Sequence, residues 1–95
     1  MATLHIEHAI TDYATWKAAF DRFEGMRRQS GVQHHRVQRP VDDPAYIVVD
    51  LDFGSAEQAQ AFLSFLRGNV WASPNNAPAL VGTPLARIHE VLEEG

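Results

Sequence analysis

The chain predicts an α+β fold of the ferredoxin-like kind, ordered βαββαβ, with a four-stranded antiparallel sheet and two helices on one face. Three observations carry this. Apolar and polar residues alternate from Thr3 to His8, and apolar residues recur at every second position from Ile47 to Phe53, the mark of strands with one buried face. Two further stretches carry apolar residues at three- and four-residue steps, the mark of amphipathic helices. The order in which these stretches follow one another, closed by right-handed crossovers, gives the spatial strand order 4-1-3-2.

The first strand runs from Thr3 to His8, with Leu4 and Ile6 on one face and His5 and Glu7 on the other. Ile10-Thr11-Asp12 turns out of it, and the Asp12 carboxylate is placed to accept from free N–H groups of a first helical turn. Tyr13, Trp16, Phe20 and Phe23 then form the apolar stripe of helix 1, which Gly31 ends. Val32 to Arg39 reads as a polar edge strand. Pro40 to Pro44 is a turn whose prolines forbid regular pairing. Ala45 to Phe53 is the strongest strand, with Ile47, Val49, Leu51 and Phe53 facing one way. Gly54-Ser55 breaks it and Ser55 caps helix 2, whose buried stripe is Ala59, Phe62, Leu63, Leu66 and Val70. Ser73 to Pro84 is a Pro-, Asn- and Gly-rich loop, and Leu85 to Leu92 is the last strand.

The 95 residues fit one domain, 1–95. A chain of this size sits near the lower limit of self-sufficiency and gains from a metal, a disulfide or association. Cysteine is absent, so disulfides, thiolate metal sites and cysteine nucleophiles are excluded. Twelve acidic against eight basic residues give a net charge of −4, the wrong balance for a nucleic-acid footprint. No apolar run approaches membrane-spanning length and the N-terminus reads as no secretory signal, so the expectation is a cytoplasmic protein without membrane association. There is no Gly-rich phosphate loop and no nucleophile-elbow motif.

Several residues stand out. By alternation from Leu4 and Ile6, His8 points toward the helices at the sheet end where Tyr13, Trp16, Trp71 and the long loop converge. An imidazole there suits a general base, and equally a structural bond to a backbone carbonyl. Trp16 and Trp71 flank this end, and the large apolar surface of tryptophan suits an aromatic ligand, though Trp16 also reads as a core anchor of helix 1. His34 and His35 point to opposite faces of strand 2. If Val37 packs in the core, His35 shares its face, although both fit an ordinary polar edge strand. On the far face of the sheet, His5, Glu7 and His89, with Asp50 or Asp52, form a candidate carboxylate–imidazole network. No recognised metal-ligand spacing accompanies it, so no metal is expected.

The segment His8-Ala9-Ile10-Thr11-Asp12-Tyr13-Ala14-Thr15-Trp16-Lys17 resembles the strand-to-helix passage of the antibiotic-biosynthesis-monooxygenase-like proteins, small dimeric α/β barrels. Gly31-Val32, Asp42-Asp43-Pro44 and Ser55 to Phe62 extend the resemblance over nearly the whole chain, through motifs that are mostly structural. The resemblance implies a homodimer with sheets packed face to face, and a ligand cavity between sheet and helices in each subunit. Some such proteins oxygenate aromatic polyketides without a cofactor; others degrade haem or isomerise lactones. This chain has no Asn on strand 1, and the first His after Trp71 is His89. Both depart from the haem-degrading pattern.

The expected function is binding of a small aromatic or polyketide-like molecule, in its most concrete form a cofactor-independent monooxygenase of an uncharacterised branch. His8 would be the base; Tyr13, Trp16, His35, Phe62, Phe65 and Trp71 would surround the ligand. A non-catalytic binding or dimerisation module, or a polyketide cyclase-like enzyme, remains open beside it.

Overall fold

The computed structural model describes residues 1–95. Its strands are β1 (Ala2–Ile10), β2 (Val32–Gln38), β3 (Tyr46–Phe53) and β4 (Leu80–Glu90). They form one sheet in the order β2-β3-β1-β4, with every neighbouring pair antiparallel. This is the expected ferredoxin-like α+β arrangement.

The alternation in sequence becomes alternation in burial. Ala2, Leu4, Ile6, His8 and Ile10 of β1 are buried, while Thr3, His5, Glu7 and Ala9 between them are half-exposed. In β3, Ile47, Val49, Leu51 and Phe53 face the same side and meet Ala59, Phe62 and Leu63 of α3 (Ala56–Phe65). Phe53, Leu4, Ile47 and Leu51 are sealed from solvent, each contributing about 1.5–3 kcal/mol of burial. The opposite face of the sheet has no helix over it.

Both predicted N-caps form: the Asp12 carboxylate accepts from the Thr15 N–H at 2.8 Å, and the Ser55 hydroxyl accepts from the Gln58 N–H at 3.2 Å. Helix 1, expected to run unbroken to Gly31, is two helices, α1 (Tyr13–Arg22) and α2 (Glu24–Gln29). The break is at Phe23, whose φ and ψ of −98° and 12° leave the helical region. Its cause lies at the Phe20 carbonyl, which accepts from Arg27 Nη1 at 2.5 Å and from the Phe23 N–H at 3.2 Å. A side chain and a tightened turn thereby occupy the acceptor that a continuous helix would use four residues on.

Helix 2 also departs from expectation. After Phe65 the chain makes a π-helical turn, Leu66–Val70, closed by the Trp71 N–H on the Leu66 carbonyl at 2.7 Å. The wider turn keeps both Leu66 and Val70 buried.

The last strand begins at Leu80, not Leu85. Leu80 pairs with Ile10, and Val81 with Ala9. Gly82, at φ 75°, and Pro84 then lie in an irregularity before pairing resumes at Leu85. Pro84 is tolerated because β4 is an edge strand and the irregularity frees it from the ladder. Strand 2 has its own irregularity, since Val32 pairs with Phe53 but His34 with Asp52. This sets the register: His35 and Val37 lie opposite Leu51 and Val49 on the helix side, and His34 faces away.

Candidate functional site

Between the sheet and the helices lies a cavity of about 80 Å³, lined by 17 residues of which 14 are hydrophobic. The polar three are His8, Arg27 and Asn76. Its apolar walls include Trp16, Phe20, Phe62 and Trp71, and it is partly open to solvent. Each wall follows from a local feature. Alternation along β1 turns His8 inward, the helical stripe turns Trp16 and Phe20 inward, and the π turn delivers Trp71 just past the end of helix 2. The Asn76 side chain donates to the Asn69 carbonyl at 2.7 Å, tying the loop after Trp71 back to that turn.

His8 is only 6% exposed. Its Nδ1 lies 2.8 Å from the Ala9 carbonyl, an acceptor only, so Nδ1 carries the proton. Burial lowers the imidazole pKa from its ordinary 6.5, and the Ala9 carbonyl partly opposes this. The ring is therefore neutral at physiological pH. Nε2 has no protein partner and is not sealed from solvent, which leaves an unprotonated nitrogen available on the cavity wall.

Sequence reasoning passes over Arg27, yet this residue is 5% exposed and lines the same cavity. Its guanidinium lies over the Phe20 ring, 3.6 Å from the centroid, an arrangement that attracts the cation to the ring face. Burial lowers its pKa, with Asp21 and Glu24 opposing, but an arginine remains charged. A signal for it is present in the spacing: Trp16, Phe20, Phe23 and Arg27 continue one apolar stripe at helical steps.

The structure brings His8, Trp16, Phe62 and Trp71 to one cavity. It places the other three candidates off the cavity wall. Tyr13 is exposed beside Trp16, ring centroids 6.0 Å apart, with the Arg39 guanidinium 5.7 Å from its own centroid. His35 is on the helix side as its register required, but it is exposed and tilts against Phe20 from outside at 5.7 Å. It sits on the edge strand, outside the residues that line the cavity. Phe65 packs against Phe23 at 6.4 Å and Phe62 at 5.9 Å, one helical step away from the cavity.

On the opposite face of the sheet the carboxylate–imidazole network is present. His5 Nδ1 lies 2.7 Å from Asp50 Oδ1 and Nε2 lies 2.8 Å from Glu7 Oε2, with His89 stacked on the ring at 5.7 Å. The Tyr46 hydroxyl donates to Glu7 and the Thr3 hydroxyl to Asp52. The Glu7 contact chiefly raises the His5 pKa, partial burial opposes it, and Asp50 adds to the rise. His5 lowers the Glu7 pKa in return, assisted by Tyr46. No three His or carboxylate groups converge in a geometry that would hold a metal ion.

No family model matches the chain, and no curated protein matches it. Solved structures do. SnoaB, a cofactor-independent oxygenase from Streptomyces nogalater, is 14% identical with a TM-score of 0.69, over 98% of this chain and 94% of that one. A candidate antibiotic biosynthesis monooxygenase from Bordetella bronchiseptica is 10% identical with a TM-score of 0.71, over 97% and 98%. A dimeric ferredoxin-like protein from an uncultured marine organism is 10% identical with a TM-score of 0.67, over 100% and 98%. The likeness spans whole chains and establishes a shared fold with antibiotic-biosynthesis-monooxygenase-like, dimeric ferredoxin-like proteins. No helix of the chain is long and apolar enough to cross a membrane.

Proposed function

We propose that the chain binds a small aromatic molecule between sheet and helices and oxygenates it without a cofactor. The observation that carries this reading is the neutral His8 ring, with Nε2 free on an otherwise largely apolar wall. The fold shared with a cofactor-independent oxygenase supports it by analogy. The cavity volume of about 80 Å³ is below the ~150 Å³ that encloses a benzene ring. It favours a single ring, admitted by a modest widening of the partly open cavity, over a fused polycycle.

In this reading His8 Nε2 takes the proton of a phenolic hydroxyl. The phenolate gives electrons to O₂ at the para carbon, where a C–O bond forms as a peroxide. Loss of the para C–H proton and cleavage of the O–O bond leave a quinone carbonyl, and His8 returns its proton to the departing oxygen. The ring loses two hydrogens and four electrons and gains one oxygen; water carries away the other. Trp16, Phe62 and Trp71 flank the ring and exclude water.

Oxygen uptake with a panel of one-ring phenols tests this. Uptake that falls by about 100-fold or more in a folded His8→Gln variant is the expected result. Equal uptake in the variant overturns the base. Quenching of tryptophan fluorescence by these phenols with no oxygen uptake would instead identify a binding module without this chemistry.

The same reading includes a homodimer formed through the helix-free face of the sheet, as the marine ferredoxin-like protein is described as dimeric.

A further inference from the structure

The cavity holds a buried cation that the chemistry above does not use. Only one Arg27 donor, Nη1, has a protein acceptor, the Phe20 carbonyl. No carboxylate pairs with the guanidinium. The two nearest in sequence are engaged elsewhere: Asp21 accepts from Lys17 Nζ at 2.5 Å, and Glu24 from Arg28 Nη2 at 2.6 Å. The remaining Arg27 donors have no acceptor, and none is sealed from solvent. Arg27 as a residue is only 5% exposed, and a guanidinium so largely withdrawn into an apolar wall without a counter-ion carries a desolvation cost that an anion in the cavity would relieve. The only other polar groups on the wall are His8 and Asn76, so no protein group there supplies negative charge.

We infer that Arg27 is a specificity-determining residue that selects a ring carrying an anionic oxygen, a carboxylate or phenolate, for this cavity. The inference rests on the cavity being the aromatic-ligand site proposed above. The planar fork of the guanidinium suits two oxygens of a carboxylate, and its seat 3.6 Å over the Phe20 ring, with Nη1 on the Phe20 carbonyl, anchors it at the cavity wall. The ligand ring then meets Trp16, Phe62 and Trp71 while its charged oxygen meets Arg27.

The test compares benzoate with benzamide, a neutral ligand of nearly the same shape, by isothermal titration. The wild-type protein is expected to bind benzoate at least about tenfold more tightly. Arg27→Met is expected to erase that preference by weakening benzoate at least about tenfold more than benzamide, and Arg27→Lys to restore part of it. Para-nitrophenolate in mildly alkaline buffer tests the phenolate arm in the same way. Arg27 also holds the Phe20 carbonyl, so the variants are first compared by circular dichroism. If they fail to fold, the benzoate-to-benzamide ratio of the wild-type protein decides alone. Equal binding of the two ligands, or a preference that survives in folded Arg27→Met, overturns the inference and leaves aromatic binding intact. Binding of neither at about 10 mM removes both readings.

Discussion

Two histidines three residues apart on β1 occupy opposite faces and opposite electrostatic situations. His8 is buried and neutral, with its pKa lowered; His5 sits between two carboxylates, with its pKa raised. The consequences for stability have opposite signs. Between the folded and unfolded pKa values of His8, the unfolded chain binds a proton that the folded chain refuses. The His8 contribution is complete above 6.5, the unfolded value, and is lost as pH falls through the lower folded value. The His5 contribution is complete below 6.5 and is lost as pH rises through the higher folded value. Thermal unfolding of the wild-type, His5→Gln and His8→Gln proteins between about pH 5 and pH 8 checks this. The advantage of wild type over His8→Gln should grow as pH rises, and the advantage over His5→Gln should shrink. Equal slopes would mean that the two environments do not differ as the structure shows. His8 was legible in the sequence because a period of two fixes its face once Leu4 and Ile6 are assigned to the core. Arg27 was not, because a charge is ordinarily assigned to solvent even where helical spacing points it inward.

Among the elements, those whose signal is periodic emerged where the sequence put them, and the differences arise where backbone acceptors are diverted. Nothing in the spacing of Tyr13, Trp16, Phe20 and Phe23 announces that Arg27 takes the Phe20 carbonyl and divides the helix. Nor does the Pro- and Gly-rich run before Leu85 reveal that Leu80 and Val81 already pair with Ile10 and Ala9. The end of helix 1 was readable, because Gly31 adopts φ 97°, a conformation that favours glycine. A Cβ there would also lie 2.7 Å from the Gln58 side chain at the start of α3. Gly25, exposed within α2, has no positive φ, and a Cβ at that position would meet nothing within 4 Å. Gly31→Ala is therefore expected to destabilise by about 1–2 kcal/mol. Gly25→Ala is expected to stabilise by roughly 0.5–1 kcal/mol through helix propensity. Urea unfolding of the two variants measures both; a Gly31→Ala midpoint at or above wild type would remove the strained-turn account.

At the scale of the whole molecule, the open question is what meets the helix-free face of the sheet. An antiparallel sheet tolerates one solvated face, so exposure alone decides nothing. This face is graded. One end carries Thr3, His34, Asp52 and His89; the other sets Ala9, Val48, Val81 and Leu85 around Glu7 and Tyr46, with Gln38 at the strand edge, and Val81 and Leu85 are 45% and 50% exposed. Between them runs a row of titratable and charged cross-strand neighbours: Arg36 opposite Asp50, Asp50 opposite His5, and His5 opposite Arg87. A second copy related by a twofold axis would present the same patch, so the apolar end would be covered by this same surface. Leu85 offers a clean probe because its cross-strand neighbour is Glu7. A lysine there would gain an opposite charge across the strands and leave the protomer folded, yet it would place two cations in a dimer interface. Sedimentation equilibrium is expected to give wild-type protein at twice the 10.6 kDa chain mass and Leu85→Lys at the chain mass, with circular dichroism unchanged. Wild-type protein sedimenting at the chain mass at about 100 μM would show that water, not a second copy, covers the face, and the cavity would then have to function within one chain.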